Sequence, residues 1–281
     1  MSWGVRIEMP DGVPAPVVFD SPHSGSVYPD DFGHVIDRML LRQSEDAHID
    51  ELFASAPSHG APLLHALFPR CYIDPNRAES DIDESMIEDG WPGAEPGPKT
   101  LNRGVGLVWQ RMRTAGAIYD RMLSRDEVKM RIEGFWRPYH DALRHLIDEA
   151  HARHGVCYHV DCHSMPSSGD AESEDGPVPR ADFVLGDRDG TSCEGDFTQA
   201  VAAYLRDAGH EVKINDPYKG VELVRRYAEP AAGRHSLQLE INRRLFMDEA
   251  TLTKTEGYVA LERLMSGLCA EIVRYAEARA A

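Results

Sequence analysis

Strand-like and helical patterns alternate along this chain, and no other feature constrains its fold as strongly. Short runs of strand character occur at residues 15–19, 63–67, 71–73, 156–162, 181–185, 211–214 and 237–241. Helical patterns lie between them, at 44–55, 125–153, 194–208 and 251–279. Such alternation favours a mainly parallel sheet covered on both faces, an α/β class of fold. The first helical pattern opens on Ser44, an expected N-cap, and carries Ile49, Leu52 and Phe53 on one face. In the second, Phe135, Tyr139, Leu143, Leu146 and Ile147 follow helical spacing, with a kink expected at Pro138. There is no internal repeat.

A chain of 281 residues can form one large domain or two small ones and can bury a substantial core. Its formal charge of −17 argues against sequence-independent nucleic-acid binding, which needs Lys and Arg to neutralise phosphates. An anionic small molecule is still compatible, because a few arginines can dominate a pocket locally. Five cysteines without a CxxC pair offer no disulfide framework. The N-terminus lacks a signal-peptide pattern and no apolar run approaches membrane-spanning length, so a soluble protein of a reducing, cytoplasmic compartment is expected, with no membrane partner. A homo-oligomer is compatible with this composition.

Two segments depart from the alternating scaffold. Residues 86–106 are rich in glycine and proline, and residues 165–180 are acidic and loop-like. Loops of that length are uncommon in compact domains unless they have a function or are disordered.

Five short stretches carry groups capable of chemistry. In DSPHSG, residues 20–25, His23 follows a strand, at the end where open α/β sheets usually bind ligands; a structural turn histidine is the alternative. In SEDAHIDELF, Asp46 and Asp50 stand four apart, hence on one face of a helix, or simply complement its dipole. In FPRCYIDPNR, Asn76 and Arg77 follow a turn and suit a carboxylate, with Arg70 just upstream. In YHVDCHSMPSS, residues 158–168, a period-two strand delivers His163 to its end. His163 is a candidate metal ligand, with Asp161 as the acceptor that fixes its ring and Cys162 on the opposite side. In HSLQLEINRRLFMDE, Glu240 stands inside an apolar strand. It reads either as a general base or as the ion-pair partner of Arg243 or Arg244.

Two histidines and a carboxylate match a catalytic zinc site, which keeps a fourth position for water. Taken together, SPHSG, SEDAHIDELF, YIDPNR, DCHS, PYKG and AAGRHSLQLEINRRLFMDE resemble the N-formylglutamate amidohydrolases, or deformylases, over residues 17–250. Their order is also similar to that of the wider zinc carboxypeptidase and aspartoacylase group. That resemblance implies a single catalytic domain over 1–281 with a three-layer α/β/α, phosphorylase/hydrolase-like fold. It implies Zn2+ on His23, Asp46 and His163, and hydrolysis of an N-formyl or N-acyl amino acid, N-formylglutamate by default, in histidine catabolism. Glu240 would take the proton from water and return it to the leaving amine. Arg70 would stabilise the oxyanion, and Asn76, Arg77 and Lys219 would hold the anionic substrate.

The chain departs from these patterns twice. The wider group takes its first two ligands from a compact His-x-x-Glu, whereas Ser26 stands three residues after His23. The acidic ligand must come from elsewhere, and Asp46 fits better than Glu45. After the PYKG block, members of the family tend to carry Gly-Gly-Tyr and a hydroxyl residue, where this chain has Gly220, Val221, Glu222, Leu223 and Val224. If that segment meets the substrate, Glu222 would repel a second carboxylate. The competing readings are a zinc carboxypeptidase-like peptidase, a catalytically silent binding protein on the same scaffold, and a Cys162 thiol amidase.

Overall fold

The computed structural model describes residues 4–113 and 115–280. Among the described residues, nine strands run in chain order as β1 (Val5–Glu8), β2 (Val17–Ser21), β3 (Leu63–Ala66), β4 (Arg111–Met112), β5 (Gly116–Ala117), β6 (Cys157–Met165), β7 (Phe183–Gly186), β8 (Val212–Ile214) and β9 (Arg234–Asn242). Seven of them form one sheet in the order β1-β3-β2-β6-β9-β7-β8, and β4 pairs with β5 as a separate hairpin. The pairs β2–β6, β6–β9 and β7–β8 are parallel, and β7–β9 is antiparallel. This is the expected mixed, mainly parallel sheet. Of the seven expected runs, six are strands with shifted ends, while β1 and the short β4–β5 hairpin fall on no expected run. Residues 71–73 instead form part of a turn.

The chain divides into two compact units. The second comprises Ile7–Ser21, Asp46–Leu64 and the chain from Leu143 onward. It holds the two nine-residue strands, β6 and β9, paired along their whole length. Their register explains what each face does. Tyr158, Val160 and Cys162 lie on one face with Leu237, Leu239 and Ile241, in a core that includes Phe197 and Leu205 from the helix Gly195–Asp207 and Leu261, Met265 and Leu268 from the helix Gly257–Glu277. Each valine, leucine, isoleucine, phenylalanine or methionine among them contributes roughly 1.5–3 kcal/mol by leaving water. The opposite face carries His159, Asp161 and His163 beside Ser236, Gln238 and Glu240, all buried. A polar face is costly to bury unless its groups are hydrogen-bonded or used.

The first unit is built on Pro22–Glu45 and His65–Ala142. Arg131 is buried in it, with its guanidinium 4.2 Å from the Tyr72 ring and donating to Tyr119 Oη at 2.7 Å and to the Tyr72 carbonyl at 3.1 Å. The helix Arg125–Arg131 begins with a capping box at Ser124 and Glu127 and passes through a π-helical turn, Ile132–Trp136, into the helix Arg137–His154. The irregularity expected at Pro138 therefore lies just before it. Proline has no N–H and crowds the carbonyl four residues back, and a widened turn relieves both.

The helix expected over 44–55 shrinks to Ile49–Leu52. Asp46 lies before it in irregular chain, and the intervening His48 has a left-handed backbone, with φ of 69°. Asp46 and Asp50 thus do not share a helix face. Ser44 is not its N-cap either: its hydroxyl donates to the Leu41 carbonyl at 2.7 Å. Among the described residues, no helix is long and apolar enough to cross a membrane.

Candidate metal centre and active site

One potential ligand atom from each of His23, Asp46 and His163 lies within 4.8 Å of the other two, and all three residues are buried. His23 follows β2 by two residues, in the SPHSG turn. Gly25 is required there, because a Cβ would stand 2.7 Å from the Leu67 carbonyl oxygen and closer still to that of Phe68. The His23 ring is fixed by Asp74: Nε2 lies 2.7 Å from Oδ1.

Asp74, which its local sequence marks only as the start of a turn, is a hub. Its Oδ1 also accepts from the Asn76 backbone N–H at 2.9 Å. Its Oδ2 accepts from Arg70 Nε and Nη2, at 3.2 and 3.0 Å, and from Trp109 Nε1 at 3.3 Å. Complete burial alone would raise its carboxyl pKa, but Arg70, His23 and Arg77 hold it well below the ordinary value. One buried anion therefore ties a candidate ligand, Arg70 and the Asn76–Arg77 turn together. Asp-Pro-Asn carries the signal for this, since an Asx turn uses the side chain of its first residue. The turn is braced by Trp136 Nε1, which donates to the Arg77 carbonyl at 3.0 Å, and by His140, 2.9 Å from the Pro75 carbonyl. Arg77 itself donates through Nε to the Val105 carbonyl and through Nη1 to the Asn76 carbonyl.

On the polar face of the sheet, His163 is gripped at both nitrogens. Nε2 lies 2.7 Å from Asp161 Oδ1, and Nδ1 lies 3.1 Å from Asp46 Oδ2. Burial would lower the pKa of this imidazole, but the charges of Asp161, Asp46 and Glu240 raise it well above the ordinary histidine value. The other oxygen of Asp46, Oδ1, accepts from Arg243 Nη2 at 3.0 Å and from the Ser164 hydroxyl at 3.3 Å. Arg243 Nε donates in turn to Ser164 Oγ at 3.1 Å. Arg243 thus serves Asp46, and Arg244 pairs with Asp182.

Glu240 sits directly across from His163 in the β6–β9 register, and Gln238 Nε2 donates to its Oε1 at 2.8 Å. The neighbouring Glu45 is buried and engaged by the Tyr28 hydroxyl at 2.9 Å and by Arg42 Nε at 3.1 Å. Those contacts distinguish it from Asp46, the carboxylate of the cluster.

Two imidazoles and a carboxylate are a donor set that zinc accepts. In each histidine the Nε2 faces a carboxylate, so Nδ1 is the nitrogen left to face a cation. A second carboxylate on the far nitrogen fixes the tautomer and makes the ring a better donor. The residues fit the ion.

The remaining predicted residues lie apart from this cluster in sequence, around residue 220. Lys219 Nζ is 2.9 Å from Asp189 Oδ2. Glu222 is buried at the start of the helix Glu222–Tyr227, and its carboxylate is held by Arg225, at 2.7 and 3.0 Å, and by Arg226 Nε at 2.8 Å. The charge expected to repel a second substrate carboxylate is therefore offset by two guanidiniums. Cys162 belongs to the apolar core on the other face from His163, and burial pushes its thiol pKa well up. That arrangement leaves it no route to act as the nucleophile.

The N-formylglutamate amidohydrolase family model matches residues 15–247. The chain belongs to that family. It is 29% identical over 238 residues to the N-formylglutamate deformylase of Pseudomonas putida, covering 83% of this chain and 82% of that protein. It is 28% identical over 236 residues to the deformylase of Pseudomonas aeruginosa, covering 83% of each. The crystal structure of an N-formylglutamate amidohydrolase from Ralstonia eutropha superposes with a TM-score of 0.93 at 44% identity, over 98% of this chain and 99% of that one. A protein of Agrobacterium tumefaciens shares the fold, with a TM-score of 0.66 at 18% identity over 94% of each chain.

Proposed function

We propose that this protein hydrolyses the amide bond of N-formylglutamate, releasing formate and glutamate, with zinc held by His23, Asp46 and His163. The observation that carries this reading is the convergence of those three donors, with Glu240 directly across from His163 on the adjacent strand. Membership of the family and its relatives' activity support the choice of substrate.

Zinc, when bound, supplies Lewis acidity toward the amide carbonyl and toward water at neutral pH. The chain's own residues do the rest. Glu240 accepts a proton from the attacking water and delivers it to the departing amine, and Gln238 orients the carboxylate. Arg70, anchored on Asp74, opposes the negative charge that develops on the carbonyl oxygen. Asn76 and Arg77, on the braced turn, receive the α-carboxylate, for which the guanidinium fork and the amide donor are suited. Asp161 and Asp74 hold the two imidazoles in the tautomer that leaves Nδ1 as the donor atom.

The test is metal analysis of the purified protein combined with assays on N-formylglutamate, N-formylglutamine and N-acetylglutamate. About one zinc per chain with formate release from N-formylglutamate is expected. Full turnover by protein stripped of all metal would overturn the metal assignment, and turnover only of acetylated substrates would overturn the substrate.

A further inference from the structure

The segment after β6 leaves the sheet two residues past His163 and returns at Arg180, just before β7. Its two arms are tied by the bridge between Ser168 and Pro179 and by the Arg180 N–H donating to the Ser167 carbonyl at 2.9 Å. Arg180 is fixed from below: Asn242 Nδ2, two residues beyond Glu240, donates to the carbonyls of Arg180 and Ala181 at 3.1 and 3.0 Å. The guanidinium stacks 5.2 Å from the Tyr218 ring, in the PYKG segment. Burial raises the pKa of the Tyr218 hydroxyl, and the charge of Glu240 adds to it. Burial would lower that of Arg180, but Asp175 raises it, with Glu240 a lesser contributor. The Arg180 side chain is only 5% exposed.

The fork of this arginine is filled by Asp175. Nε donates to Oδ2 at 2.8 Å and Nη2 to Oδ1 at 2.9 Å. Asp175 comes from the tip of the acidic loop, next to Glu172 and Glu174, both exposed. Gly169 permits the close approach, since a Cβ there would stand 2.8 Å from Asp175 Oδ1. A buried ion pair adds little net stability, because taking both charges out of water offsets their attraction. Here one partner belongs to the strand scaffold and the other to a surface loop, and the pair has the bidentate geometry by which arginine recognises any carboxylate.

We infer that Arg180 is the specificity residue for the side-chain carboxylate of the acyl amino acid, and that Asp175 holds its place until substrate arrives. This rests on the proposed function and adds the means by which the pocket tells a dianionic substrate from a monoanionic one. The loop acid keeps the buried guanidinium paired in the free protein, and the substrate carboxylate replaces it on the same two nitrogens.

The test compares kcat and KM for N-formyl-L-glutamate and its neutral isostere N-formyl-L-glutamine in the wild type, Arg180→Ala and Asp175→Asn. Arg180→Ala is expected to cut the glutamate-over-glutamine ratio of kcat/KM about a hundredfold, the loss of two hydrogen bonds to a charged group. Asp175→Asn removes the competitor and is expected to lower KM for N-formylglutamate several-fold, with its kcat unchanged. Parallel losses on both substrates in Arg180→Ala, or an unchanged KM in a folded Asp175→Asn, would overturn the assignment while leaving the proposed function intact. A metal-loaded wild type that turns over neither compound would overturn the proposed function and this inference with it.

Discussion

Asp161 and His163 are neighbours on one face of β6, and the carboxylate of the first meets Nε2 of the second at 2.7 Å. A strand places residues two apart on the same side, so this pairing follows from the period of the backbone itself. It orients the ring so that Nδ1 faces Asp46 Oδ2. Asp161→Asn, which keeps the shape and loses the charge, is expected to weaken zinc binding about 10–100-fold. Competition against a chelator of known affinity measures this. An unchanged affinity would reduce Asp161 to a buried charge with no bearing on the ligand.

Glu240→Gln is expected to retain metal and fold and to lose about 10²–10⁴-fold in kcat, since an amide cannot accept the proton of water. The Gln238 amide that donates to Glu240 Oε1 can still find an acceptor on the variant's carbonyl oxygen, so the local network survives. Steady-state kinetics on metal-loaded protein decide the matter. Turnover within a few-fold of wild type would make Glu240 a structural acid.

Much of this site was legible because its residues sit on regular strands or beside turn signals. His163 and Glu240 stand out as polar groups in strands whose alternate positions are apolar, and the register of β6 and β9 then puts them side by side. His23 is marked by the Pro and Gly that flank it. Asp46 lies in the cluster with His23 and His163, but its setting is not the expected one: acidic residues ahead of Ile49, Leu52 and Phe53 read as a helix start, and the chain instead reaches that point in irregular conformation with a left-handed residue at His48. Local propensity is a weak prior where long-range contacts such as Arg243 to Asp46, almost two hundred residues apart, decide the backbone. The same reason hid Asp74 as a hub, for its partners His23 and Trp109 are far away in sequence.

Arg77→Ala is expected to raise KM for N-formylglutamate, with about a ten- to hundredfold loss in kcat/KM, because a charge-assisted contact to the α-carboxylate contributes roughly 1.5–3 kcal/mol. Since Arg77 also donates to the Val105 and Asn76 carbonyls, the control is a substrate whose α-carboxylate is replaced by an amide. An equal loss on that substrate would assign Arg77 to the scaffold of the turn.

Glu222→Gln is expected to leave the preference between N-formylglutamate and N-formylglutamine unchanged. Sequence alone set this carboxylate against a second substrate charge. Its oxygens are instead taken up by Arg225 and Arg226. Paired opposite charges cancel at longer range, so little field is left to act on a ligand. A shift of tenfold or more toward N-formylglutamate would restore Glu222 to the pocket.

The five cysteines are expected to be silent in the native protein. Burial pushes the thiols of Cys71, Cys157, Cys193 and Cys269 up to about 12, and that of Cys162 well above the ordinary value. Only the thiolate is nucleophilic, and a thiol near 12 presents roughly one part in ten thousand as thiolate at pH 8, against about a quarter for a free cysteine. Because the shift is upward, raising the pH to about 9 leaves that fraction near one in a thousand. A disulfide-exchange reagent should therefore find no fast-reacting thiol before unfolding and all five after it, and Cys162→Ala should keep its turnover. A single fast-reacting thiol whose modification abolishes formate release would revive a thiol mechanism, and with it a break in β6 at Cys162 that turns the sulfur away from Leu239 and Ile241 toward the face of His163.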